Sequence, residues 1–327
     1  MRFSISWVKT ATLVDSIKRF KTWLGGLANL SGDPYIKRTI GIITTARVCP
    51  DSREILGELR AAEPFNIDTK TPAFASNTLS RESLINSIQT SLLLLGTGKV
   101  NVYYIHAPNS STSIEKTVDV LQGLHGQGKF ERLGLSNVSP EDIRKINAYA
   151  KSKGGVVPTV YQGNYSAFAR TIERDLFLTL RELGIAFYGY SPITGSFFSK
   201  YPEDLENKTA TGRFDMSTFG GQMYNHMYTK PTMIEALGQW IKIADQAGDS
   251  SVNLDYRCAI FHSKLDFRAG DAIILGASRA AQLEKTLAVL YAGPLKEKTV
   301  KQIDELWSLI EKDNPLDNYN LFVKDFM

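Results

Sequence analysis

From position 39 onward the chain alternates between two hydrophobic rhythms. Short runs of β-branched and aromatic residues read as strands buried on both faces. They fall at Thr39–Ala46, Phe65–Lys70, Val100–His106, Phe130–Ser136, Val156–Gln162, Ile185–Tyr190 and Asp271–Leu275. Between them, apolar residues recur three and four apart, the spacing of one helix face. Asp51–Glu54 resembles a capping box for a helix through Ala62, and Ser80 caps a helix running to Leu95. Thr112-Ser113-Ile114-Glu115 forms a second capping box ahead of the stripe Val118, Leu121 and Leu124. Ser139-Pro140 opens a helix whose Ile143, Ile146 and Ala150 face inward, and Gly154-Gly155 closes it. Further helices are expected over Ile172–Leu183, Pro231–Ala247, Ser250–Ser263, Ala280–Ala292 and Thr299–Lys312. This alternation predicts a parallel α/β domain, and a closed (β/α)8 TIM barrel suits the length of 327 residues best.

Two stretches break the rhythm. Residues 1–38 form a divergent N-terminal segment ahead of a barrel over 39–327, within a single domain overall. Within that segment Arg2–Trp7 has the pattern of a short strand, and Leu13, Ile17, Phe20 and Leu24 keep helical spacing up to Gly25-Gly26. Either Arg2–Trp7 serves as an atypical first barrel strand, or the barrel is incomplete with unpaired edges. The second stretch, Ser191–Lys230, has no clear period. It is too long for a passive turn and is a candidate substrate or cofactor loop.

Composition narrows the function classes. Thirty-eight basic against 34 acidic residues leave a formal charge of only +4, without a basic block, so nucleic acid is not expected as a partner. The two cysteines, Cys49 and Cys258, make neither a disulfide framework nor a metal motif, which suits a reducing, cytoplasmic setting. No apolar run reaches signal-peptide or membrane-spanning length, so no membrane partner is expected. No Gly-x-Gly-x-x-Gly follows the first strand, which argues against a Rossmann domain. His125, His226 and His262 have no His or Cys partner at ligand spacing and read as packing or surface residues, so no metal is expected. A homodimer is compatible with this composition.

Several predicted strands end in polar residues: Lys70, His106, Ser136-Asn137, Gln162 and Tyr190-Ser191. In a closed parallel barrel these ends share one face, so residues distant in sequence converge on one pocket. The motifs around them occur in a specific order. They are Ile67-Asp68-Thr69-Lys70, Tyr103-Tyr104-Ile105-His106-Ala107-Pro108, Gly134-Leu135-Ser136-Asn137 and Pro158-Thr159-Val160-Tyr161-Gln162-Gly163. Tyr188-Gly189-Tyr190-Ser191-Pro192, Gly212-Arg213-Phe214 and Ile274-Leu275-Gly276-Ala277-Ser278 follow. In these motifs the chain resembles the aldo-keto reductases, most closely the aflatoxin-aldehyde-reductase branch.

The resemblance implies a barrel that binds extended NADP(H) and reduces an aldehyde or ketone. It puts Ser136, Asn137 and Gln162 on the nicotinamide carboxamide, Tyr190 against the nicotinamide ring, and Ser191 at the start of the pyrophosphate loop. Arg213, Ser278 and Gln282 match the adenosine end, where a guanidinium suits a 2′-phosphate. Thr286 stands where the family usually has an asparagine. Fungal relatives of this look extend the implication to natural-product tailoring, on polyketides or terpenoids.

The resemblance also marks a departure. The family pairs its lysine with an aspartate and uses a tyrosine as general acid, with a histidine assisting. Lys70 and His106 match, but Thr44 and Cys49 stand in the aspartate and tyrosine positions. Cys49 is then the candidate proton donor, an ionisable thiol shorter than tyrosine by a ring. Strand alternation puts Asp68 on the face of Lys70, where it can partly replace the missing carboxylate from one layer deeper. Tyr104 shares a face with His106 and is expected to lie too deep to reach a substrate. Two other readings stay open: a catalytically degenerate cofactor-binding protein, and a non-redox acid-base enzyme using Lys70 and His106.

Overall fold

The computed structural model describes residues 2–7, 40–45, 52–277, 280–314, 317 and 319. Eight strands close into a barrel in sequence order. They are β1 (Arg2–Trp7), β2 (Ile40–Thr44), β3 (Asn66–Lys70), β4 (Val100–Ile105), β5 (Phe130–Ser136), β6 (Pro158–Asn164), β7 (Ala186–Tyr190) and β8 (Ala272–Ala277). The first strand decides the question left by the sequence. Residues of β1 pair in parallel with β2 and with β8, from Arg2 opposite Ala272 to Trp7 opposite Ala277, so the ring has its full set of strands. The helical spacing expected at Leu13–Leu24 falls outside the described residues.

Chain contacts divide the protein into two compact units. The first, residues 1–163, 175–188 and 266–283, holds the barrel and the helices that follow its strands. These are α1 (Ser52–Glu58), α2 (Arg81–Leu95), α3 (Ile114–Gly126), α4 (Pro140–Ser152) and α5 (Leu176–Leu183). Three of them bury full apolar faces: Leu84, Ile88, Leu92 and Leu95 on α2, Val118, Leu121 and Leu124 on α3, Ile143, Ile146 and Ala150 on α4, whereas α1 buries Ser52 and Arg53. Ser80 and Ser139 accept hydrogen bonds from the backbone N–H of Ser83 and Asp142, which would otherwise be orphaned at the helix ends. The box expected to start at Thr112 is displaced by one residue. Ser113 is the cap, accepting from Lys116 N, because its extended backbone lets the hydroxyl reach the third residue ahead.

At the start of β8, Asp271 is fully buried and accepts hydrogen bonds from Phe187 N at 2.7 Å and Asp266 N at 2.8 Å, while Arg181 pairs with both its carboxylate oxygens. One carboxylate thereby ties β7, α5 and the approach to β8.

The second unit comprises residues 164–174, 189–265 and 284–327. The aperiodic stretch 191–230 is more structured than expected. It holds 3-10 turns at Thr194–Ser199 and Gly212–Phe214 and two helices, α6 (Pro202–Glu206) and α7 (Phe219–Tyr228). Elements this short complete too few turns to impose a readable period. They are stabilised by an aromatic core instead: Phe168 meets Phe198 and Trp240 edge-on at 4.8 and 5.4 Å, and Phe198 lies 4.5 Å from Trp240. Helices α8 (Pro231–Ala247) and α9 (Ser251–Phe261) complete this core together with α11 (Glu297–Ile310), which follows α10 (Ala280–Ala288). The single helix expected over 172–183 is interrupted. A 3-10 turn at Thr171–Glu173, braced by Arg170 on Glu173, precedes α5.

Candidate functional site

At the C-terminal ends of β2 to β6 the barrel interior is polar. Lys70, nearly buried, donates from Nζ to Thr44 Oγ1 at 3.3 Å, and Gln162 Nε2 reaches the same oxygen at 3.5 Å. Two donors use both lone pairs of that hydroxyl, leaving its own hydrogen free to point elsewhere. Thr44 therefore takes up the lysine as a neutral acceptor. This contact was not foreseen, although register alone brings positions 44 and 68 opposite each other on β2 and β3.

His106 follows the last residue of β4. Its backbone N–H donates to Thr71 Oγ1 at 3.1 Å, and its carbonyl accepts from Asn137 Nδ2 at 2.8 Å. The ring packs edge-on against Phe74 at 5.4 Å, and Nδ1 is buried without a hydrogen-bond partner among the described residues. Burial, aided by the charge of Lys70, pushes the His106 pKa down to about 3. The imidazole is thus neutral at ordinary pH, with one nitrogen able to donate and one to accept.

Ser136 and Asn137 lie beside it. Asn137 adopts a left-handed backbone (φ 58°) that asparagine tolerates, and its Nδ2 also donates to Ser136 Oγ at 3.3 Å. Ser136 is opposite Gln162 across β5 and β6. Three buried side chains with donors and acceptors on adjacent strand ends make a set chemically suited to a primary carboxamide, which offers both.

A second polar layer lies below. Asp68 is fully buried and accepts from Asn101 Nδ2 at 2.6 Å and from Val102 N at 3.1 Å. Its other oxygen is 3.4 Å from the Tyr104 hydroxyl, which also hydrogen-bonds the Gln162 side chain. Lys70 Nζ sits 5.0 Å from the centre of the Tyr104 ring. Burial raises the Asp68 carboxyl to about pKa 7, against the pull of Asn101, Lys70, Val102 N–H and Arg132. Burial likewise raises the Tyr104 phenol well above its usual value, which makes this hydroxyl a weaker acid. Gly134 makes the arrangement possible, because a Cβ there would meet the Tyr104 ring at 2.3 Å.

Cys49 and Ser278 lie outside the described residues. Gln282 is exposed on α10. Thr286, on the same helix, is nearly buried and hydrogen-bonds Tyr256. In the second unit, Tyr190 accepts at its carbonyl from Tyr165 N at 3.1 Å, and Ser191 has a positive φ of 55°. Thr194, Gly195 and Ser196 follow with φ of 52°, 65° and 82°. The N–H groups of Thr194 and Ser196 donate to the carbonyls of Ser191 and Ile193 at 2.8 and 2.9 Å, so this left-handed run is a hydrogen-bonded turn. A side chain at Gly195 would collide with the Tyr224 ring. Arg213 is exposed, with Nη1 2.8 Å from the Tyr224 hydroxyl and its guanidinium over that ring at 5.6 Å. The remaining histidines behave as packing or surface residues: His125 lies against Phe130, His226 is exposed, and His262 Nε2 accepts from Leu295 N. Among the described residues no cluster of three acidic, His or Cys side chains could hold a metal ion, and no helix is long and apolar enough to cross a membrane.

Comparison with known proteins matches this architecture. The profile of the Aldo/keto reductase family covers residues 35–308. Oxidoreductase sirO of Leptosphaeria maculans is 34% identical over 278 residues, which is 84% of this chain and 84% of that protein. Aldo-keto reductase family 7 member A3 of Homo sapiens is 36% identical over 255 residues, 76% of this chain and 77% of its own length. Aldo-keto reductase pigE of Monascus ruber is 29% identical over 278 residues, covering 83% of this chain and 76% of that protein. With a family profile spanning most of the chain and a complete parallel barrel carrying Lys70 and His106 at its strand ends, the protein belongs to the aldo/keto reductase family.

Proposed function

We propose that this chain is an NADP(H)-dependent oxidoreductase that reduces an aldehyde or ketone. The observation that carries the reading is the buried group of Lys70, Thr44, Gln162, His106, Asn137 and Ser136 at the barrel's strand ends. NADP(H), when bound, supplies the hydride. Ser136, Asn137 and Gln162 hold its carboxamide. Ser191 begins the loop that takes its pyrophosphate, Arg213 supplies a cation for its 2′-phosphate, and Ser278, Gln282 and a stacking Tyr190 complete the set.

The chain's own residues handle the proton and the carbonyl. The neutral His106 orients the carbonyl oxygen by hydrogen bonding. Lys70 holds positive charge beside the developing alkoxide, and the thiol of Cys49 is the candidate donor of the proton to that oxygen. The proposed substrate class extends to natural-product carbonyls, polyketides or terpenoids, in a cytoplasmic setting.

A hydroxyl at Thr44 favours one alternative, a cofactor-binding protein without turnover, because Thr44 contributes no charge to the lysine it holds. Titration of the purified chain with NADPH and NADH, followed by fluorescence and thermal shift, tests the reading. NADPH-selective binding with oxidation of NADPH by a probe aldehyde is the expected result. Binding without oxidation would favour the non-catalytic alternative. No binding by folded protein would refute both and leave acid-base chemistry by Lys70 and His106.

A further inference from the structure

The polar interior contains one carboxylate that the proposed reaction does not use. Asp68 is in register with Thr44 across β2 and β3, and it precedes Lys70 by two residues on β3, so all three side chains enter the barrel. Thr44 takes the lysine's hydrogen bond, and Asp68 acts on the same ammonium through its charge. Around Asp68 stand Lys70 from β3, Asn101, Val102 N–H and Tyr104 from β4, and Arg132 from β5. Tyr104 is faced in turn by Gln162 of β6 and Tyr188 of β7, and Arg132 Nη1 lies 3.5 Å from the Tyr188 hydroxyl. Among these groups Asp68 is the acid flanked by two permanent or near-permanent cations. His106, another titratable group near Lys70, is neutral.

We propose that Asp68 is a positioning residue for Lys70: it supplies the negative charge that Thr44 does not, from the layer beneath, and withdraws it on protonation. The pocket's electrostatics are therefore set by a carboxyl buried inside the barrel and not by a direct ion pair at the mouth. The geometry gives the charge a defined route. The Tyr104 ring lies under the ammonium, while its hydroxyl touches the carboxylate, so charge on Asp68 polarises the surface on which Lys70 rests. Burial places the titration of Asp68 near neutrality, so small changes of pH alter the field at Lys70.

The proposal rests on reading the Lys70 pocket as the reaction centre, but its test needs no catalysis. The full chain is labelled with carbon-13 at the lysine ε position, the Lys70 signal is assigned with Lys70→Arg, and its shift is followed against pH without cofactor. Wild type should show an inflection near pH 7 that reports Asp68. Asp68→Asn should lose it and lower the Lys70 titration itself by about one pH unit, a tenfold change in its proton affinity. Superimposable curves for the two proteins would overturn the proposal.

Asn101→Ala provides a second reading that keeps the carboxylate. Losing a donor to the ionised form should move the inflection upward by about one unit, and an inflection that stays in place would count equally against the proposal. Because these curves are recorded on the free protein, failure to bind NADPH would remove the reductase reading without touching them.

Discussion

Replacing Asp68 by asparagine should change how stability depends on pH, and the sign can be worked from the structure. Burial raises this carboxyl from 3.8 to about 7. The folded state thus keeps a proton that the unfolded chain releases above its ordinary value. The stability Asp68 contributes is complete below about pH 4 and is lost as pH rises through about 7, a total of about 4 kcal/mol. His106 works the other way. Its pKa falls from 6.5 to about 3, so its contribution is complete above 6.5 and is lost as pH falls towards 3. Between about pH 4 and 6.5 the two slopes are equal and opposite, each about 1.4 kcal/mol per pH unit.

In the wild type these terms cancel, and Asp68→Asn removes one of them. Asparagine preserves the shape and can still accept from Asn101 and Val102 N–H. Urea unfolding at a series of pH values should therefore show the variant gaining on the wild type by about 1.4 kcal/mol for each unit from pH 4 to 7. Parallel stability curves for the two proteins over that range would refute the assignment of a proton to buried Asp68.

Three further outcomes follow from other contacts. Gly134→Ala drives a methyl into the Tyr104 ring. It should cost about 1–3 kcal/mol of stability by overpacking, with a lower thermal midpoint; an unchanged midpoint would show that the ring has room to move. Asp271→Ala orphans the N–H groups of Phe187 and Asp266 and releases Arg181. A loss of about 3 kcal/mol is expected in denaturant unfolding, and less than about 1 kcal/mol would remove Asp271 as the tie at β8. If Arg213 holds a 2′-phosphate, Arg213→Ala should weaken NADPH about tenfold and leave NADH nearly unaffected. Calorimetric titration of both nucleotides decides this, and equal losses would sink the assignment.

The barrel was legible because most strands are compact apolar runs and the helices α2, α3 and α4 carry full apolar stripes. Lys70, His106, Ser136, Asn137 and Gln162 could be placed for the same reason: a residue that ends a parallel strand has its position fixed by the sheet. The Asp68 layer was partly legible, since alternation puts positions 68 and 70 on one face. Its partners were not, because Asn101, Tyr104 and Arg132 come from two other strands and only register brings them together. The second unit was least readable. Phe168, Phe198 and Trp240 lie on segments too short or too distant to share a period, and their mutual packing has no trace in local sequence.

Closure of the ring has a consequence for the order of events during synthesis. Arg2–Trp7 finds one neighbour at Ile40–Thr44 but the other only at Ala272–Ala277. On the ribosome, the first strand must wait with an open edge while nearly the whole remaining barrel emerges, and long-range parallel pairing is intrinsically slow. A nascent chain stalled before residue 272 would carry two unpaired edges, β1 and β7, and should associate with other chains through them. Chaperone dependence of this protein is therefore expected to fall sharply once β8 has left the exit tunnel.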